Sequence, residues 1–284
     1  MKKLDNQIAN NYLKVRFKQT IPAFIILGLV GLFFILLGGN FKESYTSIQT
    51  PLFLKLNKAL STMPDLQWNL TNIGNALIGI SLLSPLLYFA PKMWGAMIDS
   101  LLISLVMTSV LKHIFTMPRP APIIGPENFN IIGRILYKNS LPSGHSITLF
   151  IFITIIIIAF LPKSKKCYKK VLWVGGLLLG MFFVALSRVA CGAHWPLDVL
   201  TGSAIGCIFA ISGILINNKY PIWDWMTQDK FRPIVLGIAV ILLIAMISYI
   251  IDHKVIPVYI LAVIAIVITI ILCLKEIISS RKAQ

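Results

Sequence analysis

The sequence predicts an all-α protein, a polytopic bundle of transmembrane helices. Hydrophobic residues make up 57% of its 284 residues and charged residues only 13%, whereas about a quarter of an ordinary soluble domain is charged. The mean hydropathy is +0.84. Apolar runs of about 20 residues, the length that crosses a hydrocarbon core about 30 Å thick, recur along the chain. Composition and run length together exclude an ordinary soluble domain.

Eight candidate spans follow from these runs, at 20–38, 72–90, 94–114, 146–162, 171–186, 196–216, 233–251 and 256–274. The first run is longer than a signal-peptide core and has about 20 mostly polar residues before it, which favours an uncleaved anchor. We therefore predict a cytoplasmic segment over 1–19 and a six-span core over 20–216. Two further transmembrane helices and a cytoplasmic tail are predicted over 217–284.

Three polar features interrupt the apolar pattern in the first half of the chain. The connection over 41–71 is expected to be external, and "PLFLKLNKAL" from Pro51 is typical of a short helix, either lying in the membrane interface or packed on the bundle. The second span is cut by Pro85 and carries Asn72 and Asn75. The third carries Asp99 close to its cytoplasmic end, where we predict a structural pairing with a neighbouring polar group rather than a functional role.

The net charge of +16 reports membrane topology. With the N-terminus placed in the cytoplasm, most of the 26 Lys and Arg residues fall on the cytoplasmic side, as the positive-inside rule requires. The charge therefore does not indicate a nucleic-acid partner. An Ile- and Lys-rich chain with short loops is typical of a bacterial inner membrane, so we expect both termini in the cytoplasm and the external face in the periplasm.

Three short polar segments fall on that external face. They are "KHIFTMPRP" (Lys112–Pro120) after the third span, "LPSGHS" (Leu141–Ser146) before the fourth, and "SRVACGAHWPLD" (Ser187–Asp198) between the fifth and sixth. Ionisable residues are costly in the hydrocarbon region and usually mark a function there. Their common position at one face predicts a single site.

Two of these segments have the pattern of a helix start. Ser143 is a candidate N-cap for the fourth span, so the first N–H groups of that helix point outward and attract anions. Pro196 suits the first turn of the sixth span, which places His194 just outside it. Asp198 follows His194 at i+4 spacing, within reach of the imidazole on the same helix face.

The charges in these segments indicate a phosphate-binding site. Lys112, Arg119 and Arg188 add three cations to two helix N-termini, and guanidinium groups match phosphate oxygens. The motif residues contain a single carboxylate, too few oxygen ligands for magnesium or calcium, and two histidines do not make a zinc site. We therefore expect no metal and no cofactor.

The residue types then predict individual roles. His194 is the candidate nucleophile for in-line attack on phosphorus, with Asp198 fixing its tautomer. His145, at the other helix start, would donate a proton to the leaving alkoxide and later accept one from water. The equatorial oxygens of the transition state would be stabilised by a set of cations and backbone N–H groups: Lys112, Arg119, Arg188, Ser143 and Gly144.

The three segments resemble the signature of the type 2 phosphatidic acid phosphatase (PAP2) superfamily, in its membrane-bound lipid phosphatase branch. The matching residues are Lys112-x6-Arg119-Pro120, Pro142-Ser143-Gly144-His145 and Ser187-Arg188-x5-His194-x3-Asp198. The resemblance implies metal-independent hydrolysis of a lipid phosphomonoester or diphosphate at the outer face, through a phosphohistidine at His194. Its substrate would be a phosphorylated membrane lipid: lipid A phosphate, undecaprenyl diphosphate, phosphatidylglycerol phosphate or phosphatidic acid.

Two features depart from the family pattern. The last two spans exceed the usual six-helix core. The insert over 121–141 adds Arg134 and Lys138, either as contacts to a second phosphate or sugar headgroup or as ordinary loop charges.

Two other functions stay open. A phosphotransferase would pass the phosphoryl group to a lipid instead of water. A transporter is disfavoured because transporter sites usually lie near the bilayer midplane. The sequence indicates no obligate protein partner.

Overall fold

The computed structural model describes residues 2–38, 40–164, 166–253 and 256–282. Seven residues lie outside the described part: 1, 39, 165, 254, 255, 283 and 284. They include the two ends of the chain, for which a cytoplasmic position is predicted. The helices of the described part are α1 Lys2–Tyr12, α2 Ile21–Leu37, α3 Phe41–Leu60, α4 Pro64–Ile73, α5 Ala76–Leu83, α6 Leu86–Phe89, α7 Pro91–Phe115, α8 Pro120–Ile124, α9 Gly144–Ala159, α10 Cys167–Ala185, α11 Ser187–Ala190, α12 Pro196–Lys219, α13 Arg232–Ile251 and α14 Pro257–Lys282.

The fold is a helical bundle, as predicted, but two of the eight candidate spans are not single helices long enough to cross a membrane. Within the described residues, six helices are long and apolar enough to cross a membrane: α2, α7, α10, α12, α13 and α14. Helix α9 corresponds to the predicted fourth span but has only 16 residues, which is about 24 Å at 1.5 Å per residue. The remaining predicted span is broken.

The predicted second span, 72–90, is divided among α4, α5 and α6. Asn75 causes the first break, because its side chain accepts a hydrogen bond from the Leu77 N–H at 3.0 Å and so starts a new helix. The second break falls at Ser84 and Pro85, where proline has no N–H for the helical ladder. Side-chain capping and proline therefore interrupt a run whose composition alone favours one helix.

The external connection contains a longer helix than "PLFLKLNKAL" alone predicts. Helix α3 begins ten residues before Pro51 because Asn40 caps it, accepting a hydrogen bond from the Lys42 N–H at 3.1 Å. One face of α3 packs on the bundle and buries Phe53, while Leu52 on the other face is half exposed. This helix brings residues from outside the predicted spans into the protein core.

Helix α12 lies at the centre of the bundle, against α9 and α7. A Cβ placed on Gly202 would lie 2.6 Å from the Ser143 carbonyl oxygen, and one on Gly206 would lie 2.5 Å from the Ile147 carbonyl oxygen. Glycine at both positions lets the α12 and α9 backbones approach closely, as small residues do between transmembrane helices. The N-terminal ends of these two helices are thereby held side by side.

At the opposite end of the bundle, α1 covers the C-terminal end of α9. The Asn11 amide donates to the Ala159 carbonyl at 2.9 Å, and the Tyr12 hydroxyl donates to the Ile155 carbonyl at 3.2 Å. The last four carbonyls of a helix have no donor within the helix. Helix α1 supplies a donor for one of them, that of Ala159, and a second hydrogen bond to the Ile155 carbonyl one turn earlier.

Asp99 has the structural environment predicted for it. Its carboxylate accepts hydrogen bonds from the Asn217 amide at 3.2 Å and the Trp223 indole at 2.8 Å. These contacts connect α7 to the C-terminal end of α12 and to the turn that follows it. The pairing of Asp99 with neighbouring polar groups is therefore confirmed.

The last two helices, α13 and α14, form an antiparallel pair that packs mainly through α14 on α5. We call α13 and α14 the C-terminal helix pair. Met246 and Tyr259 are fully buried at this contact, together with Ile78 of α5. The Ser84 and Thr269 hydroxyls share a buried hydrogen bond of 2.8 Å.

Candidate active site

The three predicted segments meet at one end of the bundle. Lys112 lies in the last turn of α7, Ser143 caps the start of α9, Arg188 lies in the short helix α11, and His194 precedes α12. The main chain joins two of these ends directly, because the Ser143 N–H donates to the Asp198 carbonyl at 3.1 Å. The site is therefore built on the closely packed ends of α9 and α12.

His194 and Asp198 form the predicted pair across the first turn of α12. Their Nδ1 and Oδ2 atoms are 3.3 Å apart, and the two side chains are 2% and 0% exposed. The same Oδ2 accepts the Trp195 N–H at 2.8 Å, so the carboxylate also caps its own helix. Spacing of four residues across a helix start is what brings the two side chains together.

Arg119 determines which nitrogen of His194 carries the proton. Its Nη1 lies 3.1 Å from His194 Nε2 and donates to the Ala193 carbonyl at 2.6 Å. An arginine can only donate, so Nε2 is the acceptor and Nδ1 holds the proton facing Asp198. Burial, reinforced by the charges of Arg119, Arg188 and Lys112, lowers the pKa of His194 well below its usual value. The ring is therefore neutral, with a lone pair on Nε2.

The insert over 121–141 holds Arg119 in place through its main chain. The Arg119 Nε donates to the Lys138 carbonyl at 2.7 Å, and the Arg119 N–H donates to the Tyr137 carbonyl at 3.1 Å. The side chains of Arg134 and Lys138, by contrast, are exposed. The insert thus contributes carbonyl groups to the site.

Two residues of the site, Tyr45 and Ser140, were not predicted from the sequence. The Tyr45 hydroxyl donates to Asp198 Oδ1 at 2.7 Å, and the Ser140 hydroxyl donates to Asp198 Oδ2. Burial, and next the Asp198 carboxylate, raise the pKa of Tyr45 well above its usual value, so the phenol remains a donor. A buried carboxylate needs several hydrogen-bond donors. This requirement is the signal that could have indicated further donors to Asp198 besides His194.

Arg188 is buried with unused hydrogen-bonding capacity. Its Nη1 donates to the Thr71 hydroxyl at 2.8 Å, while its Nε has no hydrogen-bond partner within the described residues. A buried guanidinium with free donors is costly unless an anion accepts from it. The side chain is suited to bind phosphate oxygens.

The start of α9 agrees with the prediction for Ser143 in one respect and differs in another. Its hydroxyl caps the helix, accepting from the Ser146 N–H at 3.4 Å. Its own N–H, which was predicted to face the phosphate, donates to the Asp198 carbonyl instead. The outward-facing amides of the first turn are therefore those of Gly144 and His145, which have no acceptor within the helix.

Lys112 and His145 flank the same helix start. A Cβ placed on Gly144 would lie 3.9 Å from Lys112 Nζ, so the ammonium group lies beside the first turn of α9. A Cβ placed on Gly74 would lie 2.8 Å from the His145 carbonyl oxygen, so the break between α4 and α5 packs directly on His145. Two histidines and three cations thus share one site, with Asp198 as the carboxylate paired to His194.

No three His, Cys, Asp or Glu side chains in the described ranges are grouped so that they could hold a metal ion. The donors that surround the two histidines are instead guanidinium, ammonium and amide N–H groups, which bind anions. The arrangement can hold a tetrahedral oxyanion against an unprotonated imidazole nitrogen.

Comparison with known proteins shows which family this part of the chain resembles. Residues 94–222 match the model of the PAP2 superfamily. The chain is 25% identical over 197 residues to the undecaprenyl-diphosphatase of Sulfolobus acidocaldarius, which covers 68% of this chain and 89% of that protein. It is 34% identical over 118 residues to the putative undecaprenyl-diphosphatase YbjG of Escherichia coli, which covers 41% of this chain and about half (53%) of that relative.

The crystal structure of Aquifex aeolicus LpxE aligns with a TM-score of 0.48 and 27% identity, covering 59% of this chain and 95% of that one. The segment matched by the family model contains all the site residues predicted from the sequence. The predicted resemblance to the PAP2 superfamily is therefore confirmed, and the similarity indicates a phosphatase, a phosphoric-ester hydrolase.

Proposed function

We propose that the protein removes phosphate from a membrane lipid through a phosphohistidine at His194. The observation that carries this proposal is the pair of contacts made by the two ring nitrogens of His194. Its Nε2 accepts from Arg119 at 3.1 Å while Nδ1 faces Asp198 at 3.3 Å. An unprotonated ring nitrogen among three cations is the arrangement that nucleophilic attack on a phosphate requires.

In the first step, the lipid phosphate binds to the guanidinium groups of Arg119 and Arg188 and to Lys112. Its oxygens compete for the Arg119 Nη1 donor, and this frees the lone pair of Nε2. Nε2 then forms a bond to phosphorus while the bond from phosphorus to the leaving oxygen breaks, that of the lipid alcohol in a monoester or of the lipid monophosphate in a diphosphate. Burial and the three cations lower the pKa of His145 well below its usual value in the free site. The negative charge of the bound phosphate offsets those cations, so that His145 takes up a proton with the substrate and gives it to the departing oxygen, while Asp198 stabilises the positive charge on the His194 ring.

In the second step, water attacks the phosphorus of the phosphohistidine. The bond from phosphorus to Nε2 breaks, one proton of the water passes to His145, and inorganic phosphate is released. Both steps use the residues of the chain alone, so we expect activity to persist without divalent cations.

The substrate we propose first is an isoprenoid diphosphate in the outer leaflet of a bacterial inner membrane. Two relatives bear the name undecaprenyl-diphosphatase, and with such a substrate the leaving group would be the lipid monophosphate. Positive charge on the other membrane side supports a periplasmic site with cytoplasmic termini. Lipid A phosphate, phosphatidylglycerol phosphate and phosphatidic acid present a similar group to the same cations.

The test is phosphate release by the detergent-purified protein from these four lipids, with and without EDTA. We expect release that survives EDTA and falls by about 10³-fold or more in His194→Gln, whose folding is checked by its melting temperature. Full activity in that variant would disprove the phosphohistidine mechanism. Labelled phosphate found on an acceptor lipid, with none free, would instead identify a phosphotransferase.

A further inference from the structure

The C-terminal helix pair contacts a stripe of three asparagines on α4 and at the start of α5. The stripe consists of Asn69, Asn72 and Asn75, and the three-residue spacing places them on one side. Asn72 Oδ1 accepts from the Tyr259 hydroxyl at 3.2 Å and from the Tyr249 hydroxyl at 3.4 Å. A buried donor or acceptor without a hydrogen-bond partner is costly where two helices otherwise pack through apolar side chains. These hydrogen bonds therefore fix the position of Asn72 relative to the two tyrosines.

The other two asparagines extend this contact along the helix. Asn69 Oδ1 accepts from the Val258 N–H at 3.3 Å, and the Asn75 amide donates to the Tyr249 hydroxyl at 3.5 Å. Tyr259 is fully buried, and its ring meets that of Tyr249 edge to face at 5.5 Å. The C-terminal helix pair therefore holds the last turn of α4 through side chains as well as through apolar packing.

The same turn of α4 contacts two residues of the active site. Thr71, adjacent to Asn72, accepts from Arg188 Nη1 at 2.8 Å. Gly74, two residues later, packs on the His145 main chain, where an added Cβ would lie 2.8 Å from the carbonyl oxygen. This turn is the end of a helix, since α4 stops at Ile73. Its position depends on side-chain contacts because no continuous helix extends through it.

We propose that Tyr259 is a positioning residue for the active site, acting through Asn72 and Thr71 on Arg188. The proposal rests on the phosphate-binding role given above to Arg188. The Thr71 hydroxyl is the acceptor that orients the guanidinium, and it leaves the buried Nε free for the substrate. The C-terminal helix pair thus helps to set the direction in which Arg188 presents its donors.

The structure offers a matched control. Tyr259→Phe removes the hydroxyl that holds Asn72, and Thr269→Val removes the hydroxyl that bonds to Ser84 at 2.8 Å. Both changes break one buried hydrogen bond between α14 and the predicted second span. Only the first lies beside Thr71, so a purely structural role predicts the same kinetic behaviour for the two variants.

We expect Tyr259→Phe to lower kcat/KM roughly 5- to 10-fold, the loss of one buried hydrogen bond, and to weaken inhibition by inorganic phosphate by a similar factor. Thr269→Val should change the melting temperature alone. In a Thr71→Val background, Tyr259→Phe should add no further kinetic loss, because both act on the same contact. Tyr249→Phe, which removes the longer bond to Asn72, provides a milder version of the same change.

Equal kinetics in Tyr259→Phe and Thr269→Val, or full additivity with Thr71→Val, would overturn the proposal. Stabilisation of the protein by inorganic phosphate, measured as a shift in Tm, gives a readout that does not need lipid hydrolysis. A wild-type protein that binds phosphate but releases none from lipids would refute the proposed function alone. Phosphate stabilisation unchanged in Tyr259→Phe would refute the positioning role alone.

Discussion

The substitution Asp198→Asn separates the charge of this residue from its shape. In the proposed mechanism, His194 Nε2 bonds to phosphorus, and the ring becomes positively charged with its proton still on Nδ1. That nitrogen lies 3.3 Å from Asp198 Oδ2, and the two side chains are almost fully buried. Two unit charges about 4 Å apart interact by about 4 kcal/mol at an effective dielectric constant of about 20. Asp198→Asn should therefore lower kcat/KM by about 10³-fold.

The assay is phosphate release in detergent with EDTA, fitted for kcat/KM because this ratio includes formation of the phosphohistidine. Tyr45→Phe is the matched control, since it removes one hydrogen bond to Asp198 and keeps the charge. That variant should lose only about 10-fold. More than a tenth of the wild-type kcat/KM in folded Asp198→Asn, or an equal loss in both variants, would refute the electrostatic reasoning.

Three more predictions follow from the structure. Because the pKa of His194 is lowered, its neutral form persists through the usual imidazole range. Corrected for substrate ionisation, kcat/KM should thus fall on acidification only below about pH 6.5, and a midpoint above that value would contradict this. Gly74→Ala should push the His145 carbonyl and lower kcat about 10-fold or more, whereas Gly28→Ala, with no atom within 4 Å of its Cβ, should not. Asp99→Asn should lower Tm, by leaving one donor unpaired, and leave kcat unchanged; a large fall in kcat would count against a structural role.

The sequence could predict those parts of the site whose residues lie close together along the chain. His194 and Asp198 lie one helical turn apart, and Ser143 directly precedes an apolar helix, so helix geometry alone places them. The joining of the three segments also followed, because residues at the ends of spans share a membrane face. Local geometry and membrane topology thus account for the positions of Lys112 and Arg188.

The parts that could not be predicted depend on contacts between distant segments. Tyr45 is 153 residues from Asp198 and lies in a connection whose composition has no catalytic pattern. The use of the Ser143 N–H by the Asp198 carbonyl is likewise a tertiary contact. In the second predicted span, proline identified the break at Pro85 from the sequence, whereas the break at Asn75 was not predicted, since average hydropathy does not register a capping side chain.

Because α9 is short, the contacts of α1 with its C-terminal end bear on the position of α9 in the membrane. A helix of about 24 Å cannot reach across a hydrocarbon core about 30 Å thick, and exposed carbonyls at its lower end would have no partners in lipid. Asn11 bonds to the last of those carbonyls, that of Ala159, and Tyr12 bonds to the Ile155 carbonyl one turn earlier. We therefore expect contacts within the protein to hold α9 in place, so that bilayers of different thickness leave the geometry between the two histidines the same.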